Sequence, residues 1–78
     1  MDAEEKEVIK KKFGATVQRL RKSKQLTLRQ VAASCHLDNS KIAKIEDGKF
    51  NVSLSTIVEL SRGLRVAPSI LLNDLTEY

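Results

Sequence analysis

Seventy-eight residues, 41% of them apolar, limit this chain to one small core, because a short chain buries a smaller share of its surface than a long one. Cys35 is alone, which excludes an internal disulfide, and a single His beside it offers no structural metal site, so oligomerisation is the expected aid to stability. Fourteen Lys and Arg against ten Asp and Glu give a net charge of +4 and a pI near 9.5, favourable to a polyanion but too modest to identify one.

No apolar run approaches the roughly 18 residues of a membrane span, so no membrane partner is expected. The acidic start Met1-Asp-Ala-Glu-Glu lacks the pattern of a secretory signal, and the expected location is the cytoplasm. Without an internal repeat, a Pro- or Gly-rich linker or a low-complexity segment, residues 1–78 read as one domain.

Ile9, Phe13, Val17 and Leu20 recur at helical spacing and predict a first helix over about residues 4–23, with Lys10, Lys11, Lys12, Arg19 and Lys22 on its polar face. Those lysines read as an ordinary solvated face, and residues 1–12 as an extension of the domain. Thr27 with Gln30 three residues on forms a capping box for a short second helix ending near His36, with Val31, Ala32 and Cys35 buried. Asp38 caps a third helix whose inward residues are Ile42 and Ile45 and whose end is marked by Gly48. Ser53 caps a fourth, with Leu54, Ile57, Leu60 and Leu64 on its inner stripe, and Pro68 suits the first turn of a fifth running to about Asn73. No credible strand remains, so the expected fold is all-α with five helices.

Two short capped helices separated by His36 and Leu37 have the helix-turn-helix layout, with the motif over about residues 27–48. A helix fits the major groove, where each base pair shows a distinct donor and acceptor pattern, and the outer face of the third helix carries Asn39, Ser40, Lys41 and Lys44. Leu26-Thr-Leu-Arg-Gln-Val-Ala, Ile42-Ala-Lys-Ile-Glu-Asp-Gly-Lys, Asn51-Val-Ser-Leu-Ser-Thr-Ile and Leu64-Arg-Val together resemble the phage-repressor-like helix-turn-helix family of lambda repressor and Cro, over about residues 13–72. Small free-standing members of that family include restriction-modification controller proteins, phage-type repressors and antitoxins.

The resemblance implies a sequence-specific regulator of transcription that binds double-stranded DNA. By motif position it makes Asn39, Ser40, Lys41 and Lys44 base-reading candidates and Thr27, Arg29, Lys49 and Asn51 phosphate candidates. It also implies an ion pair between Arg21 and Glu46. In three places the chain departs from the family. His36 and Arg65 stand where a Gly is usual, and a non-Gly residue at positive φ costs about 1 kcal/mol. Leu28 replaces a polar residue that in relatives often touches DNA.

Val58, Ile70, Leu72 and Tyr78 are left over once the core is assigned, and they are the candidates for a twofold contact between copies that would imply a palindromic operator. Cys35 reads as a packed thiol and His36 as a turn residue, so no catalytic set, cofactor or small-molecule ligand is expected. Phe50 is open between covering the core edge, joining a dimer and touching a DNA sugar, with core cover preferred. The rival reading is a protein-interaction module or antitoxin-type partner-binding protein on the same helices.

Overall fold

Asp2 opens the first helix: its carboxylate accepts the Glu5 N–H at 2.8 Å, and the Glu5 carboxylate accepts the Asp2 N–H at 3.4 Å. In the computed structural model, which describes residues 1–75, this helix, α1, runs Ala3–Ser23. Glu4 and Glu5 in its first turn and Arg21 and Lys22 in its last complement the helix dipole. Phe13 and Val17 are buried, while Ile9 and Leu20 at the ends of the same stripe are half-buried.

Thr27 and Gln30 form their capping box at 3.1 and 2.7 Å and start α2, Leu28–Ala33. This helix ends three residues before the expected position, and two expectations change with it. Cys35 lies in the turn, half-buried, with its thiol toward the Val31 carbonyl at 3.4 Å instead of packed in the core. His36 does not take a positive φ, because a turn running from 34 to 38 is long enough to reverse direction without a left-handed residue. Its N–H donates to the Glu59 carboxylate at 2.9 Å. Among the described residues the left-handed non-glycine positions are Gln25, after α1, and Arg65.

Asp38 accepts the Lys41 N–H at 2.7 Å and opens α3, Asn39–Glu46. Ser53 accepts from Thr56 and opens α4, Leu54–Leu64, which Arg65 closes at φ 58. Leu54 is not on the inner stripe: it is 76% exposed, and helical geometry turns it roughly 100° from the line of Ile57, Leu60 and Leu64. Buried Thr56 takes the inward place at that end.

Pro68 sits in the first turn of α5, Pro68–Leu72, followed by a 3-10 turn, Asn73–Leu75. That turn is clasped to α1, since Asp74 accepts from Thr16 Oγ1 at 2.7 Å and pairs with Arg19 at 3.2 Å. The core lies between the helices, with Val17 of α1, Val31 of α2, Ile42 of α3 and Leu60 and Leu64 of α4 fully buried and Leu71 closing it from α5. Among the described residues the secondary structure is entirely helical.

Candidate nucleic-acid interface

Ile42 and Ile45 anchor α3 at 0% and 1% exposure, which fixes the opposite face outward. Ser40 and Lys44, about 40° apart on the helix, lead that face, and Asn39 and Lys41 flank it. All four are exposed. Asp38 performs the capping through its own carboxylate, so the Asn39 and Ser40 side chains are not spent on the helix start.

The tilt of α3 is set by α1. Gly14 allows the two helices to touch: a Cβ there would run into the Ile45 carbonyl oxygen and lie 2.7 Å from that of Glu46. Seven residues along α1, Arg21 grips Glu46 with two parallel hydrogen bonds, Nε to Oε2 at 2.7 Å and Nη2 to Oε1 at 3.0 Å. Its remaining Nη1 donates to the Leu26 carbonyl at 2.9 Å, so one guanidinium joins α1, the end of α3 and the entry to α2. The side chains are 13% and 3% exposed, and the hydrogen bond to Glu46 holds the Arg21 guanidinium above its ordinary pKa.

The phosphate candidates flank this helix. Thr27 and Arg29 are exposed at the start of α2. The Thr27 hydroxyl oxygen accepts from Gln30, which leaves its O–H available to donate to an anion. Lys49 and Asn51 are exposed beyond α3, where Gly48 at φ 75 turns the chain and returns the Lys49 N–H to the Lys44 carbonyl at 3.1 Å. Leu28 is half-buried against the core.

Two of the dimer candidates, Ile70 and Leu72, fall on different faces of α5. Ile70 is 38% exposed, but Leu72 lies roughly 200° around α5 and lines a cleft of about 170 Å³ with Phe13, Val52, Ile57 and Leu75. Phe50, 39% exposed, lines the same cleft. Val58 is half-buried on α4. Tyr78 lies outside the described residues.

Gly14 carries a sequence signal of its own, since an isolated Gly inside a helical pattern is a sign of close packing. The Thr16–Asp74 clasp joins residues 58 apart and has no local sequence signal.

Two capped helices, the second held rigidly with its polar face outward, define a helix-turn-helix protein. The helix-turn-helix domain family matches residues 12–73. The chain is 40% identical to control protein C.MunI from Mycoplasma sp over 68 residues, which is 86% of this chain and 92% of that protein. It is 38% identical to control protein C.BamHI from Bacillus amyloliquefaciens, over 82% of this chain and 80% of the relative. The crystal structure of the restriction-modification controller protein C.AhdI from Aeromonas hydrophila superposes with a TM-score of 0.78 at 34% identity, covering 82% of this chain and 97% of that one. The chain therefore belongs to the helix-turn-helix family and, within it, to the restriction-modification controller proteins.

Proposed function

We propose that this chain is a sequence-specific regulator of transcription that binds double-stranded DNA in the cytoplasm as a homodimer and serves a restriction-modification system. The observation that carries the reading is the exposed Asn39, Ser40, Lys41 and Lys44 face on a helix fixed from behind by Ile42, Ile45 and the Arg21–Glu46 pair. A base-reading helix has to be held rigidly, because hydrogen bonds to base edges tolerate little misplacement.

In this reading residues 1–78 work as one DNA-binding domain. The helix α3 enters the major groove, α2 lies across the backbone, and Thr27, Arg29, Lys49 and Asn51 donate to phosphates on either side. Asn suits adenine and Lys suits guanine as hydrogen-bond partners. Each subunit takes one half-site of a palindromic operator, with Val58 and Ile70 as the main contact between copies and Leu72 and Tyr78 as the remaining candidates. The role is binding, with no catalytic step and no cofactor.

Selection of bound fragments from genomic DNA, followed by footprinting, tests this reading. The expected result is a symmetric protected site whose affinity falls steeply with salt, since each neutralised phosphate releases counterions. Failure to enrich any duplex, with folding intact, would overturn it in favour of a protein-interaction module.

A further inference from the structure

We propose that Lys11 of α1 is a DNA phosphate contact outside the helix-turn-helix, so that the first helix lengthens the footprint of each subunit. The inference rests on the DNA-binding reading above. It starts from the close approach of α1 to the end of α3. One turn before Gly14, Lys11 packs on Gly48, with its Cα 3.0 Å and its Cγ 2.9 Å from the position that a Gly48 Cβ would occupy. Gly48 is the residue that turns the chain from Lys44 to Lys49. Lys11 of α1 thus lies against the turn that leaves the recognition helix, the same turn whose backbone bond joins Lys49 to Lys44.

Two structural duties for Lys11 are already met by other groups. The carbonyls at the end of α3 are satisfied by the backbone, Ile45 receiving the Gly48 N–H at 3.0 Å and Lys44 the Lys49 N–H at 3.1 Å. The neighbouring acids are occupied as well: Glu46 is held by Arg21, and Glu7, one turn before Lys11, pairs with Lys10 at 2.7 Å. Asp47 is the acid left beside the turn, and it is exposed. The exposed Lys11 ammonium acts on the Glu7 carboxylate through space, more weakly than Lys10 does, and among the described residues no hydrogen bond or ion pair occupies it. A phosphate is the chemistry that a cation needs at the edge of a groove-binding helix. The extended footprint ends there, because Asp2, Glu4 and Glu5 make the tip of α1 acidic and repel the duplex.

The test is anisotropy over a salt series, using the duplex that the wild-type protein enriches from a randomised pool. Lys11→Gln is expected to lower the slope of log K against log salt by about 0.9 per bound subunit and to weaken binding about five-fold per contact near 0.15 M salt. Base preference stays unchanged, and Lys11→Arg restores the slope. Lys6→Gln removes the same charge from a residue about 140° around α1 and is expected to change the slope less than half as much. An unchanged slope for Lys11→Gln, or an equal fall for Lys6→Gln, overturns the contact alone. A wild type that enriches no duplex overturns the DNA-binding reading and this inference with it.

Discussion

Arg21 and Glu46 form a two-pronged ion pair that is nearly closed to solvent, and it ties the end of the recognition helix to the first helix. Removing one partner leaves the other charge desolvated, whereas removing both leaves only a packing defect. Arg21→Met or Glu46→Leu alone is therefore expected to cost about 3 kcal/mol, and the double variant clearly less than the sum. Urea melts of the four proteins give the coupling. Additive losses would mean that the pair does no joint work. Arg21→Lys is expected to rescue little, since an ammonium cannot reproduce the fork.

Gly14 is required by the distance between helices. Gly14→Ala places a methyl against the Ile45 and Glu46 carbonyls, which are backbone atoms and cannot swing aside. Forcing α1 from α3 is expected to cost about 1–3 kcal/mol in a denaturant melt and to weaken operator binding beyond what the stability loss explains. A variant as stable as wild type would show that the interface relaxes freely.

Arg65 and Gln25 both close helices in the left-handed region, at φ 58 each. A non-glycine residue there costs about 1–2 kcal/mol, partly offset in a Gly variant by the larger entropy of its unfolded chain. Arg65→Gly and Gln25→Gly are each expected to stabilise by about 0.5–1 kcal/mol, read as a higher urea midpoint at constant slope. A lower midpoint would reveal side-chain interactions worth more than the strain.

These positions also mark the limit of what sequence can reveal. The caps at Thr27, Asp38 and Ser53 are local, each needing only an oxygen and an N–H three residues on, so the starts of α2, α3 and α4 were legible. The inward pair Ile42 and Ile45 was legible for a similar reason, because helical period alone decides it. Ends are harder. The length of the turn around His36 depends on its N–H reaching Glu59 on α4, a contact 23 residues away. Ile70 and Leu72 could be grouped in one patch on composition, but only the placement of α5 shows that Leu72 is used at the cleft.

Lys44 and Lys49 are joined through the backbone yet are expected to act on different parts of the duplex. Lys44, on the outer face of α3, is proposed to read a base edge, so Lys44→Ala is expected to relax preference at particular operator positions at about 1–3 kcal/mol. Lys49, in the loop, is proposed to meet a phosphate, so Lys49→Ala is expected to weaken all sequences alike and reduce the salt slope by about one. Selection from a randomised pool with each variant separates the two. A uniform loss from Lys44→Ala would transfer that residue to the backbone class.

Ile70 is the large apolar side chain that α5 leaves facing solvent, beside a core with few residues to spare. A single exposed Ile is ordinary, but a twofold contact through α4 and α5 would cover it with its own copy and bring Val58 alongside. The two copies of α3 would then stand about 34 Å apart, one turn of the duplex, which is the geometric reason to expect a palindrome. Ile70→Lys introduces two like charges across the axis. Sedimentation is expected to show a wild-type dimer at tens of micromolar, an association free energy of about −6 to −7 kcal/mol, and a monomeric variant with an unchanged thermal melt. The variant should still contact a single half-site but lose the strong preference for two of them in register. A wild type that stays monomeric in that range and binds an asymmetric half-site as tightly as the palindrome would overturn the dimer.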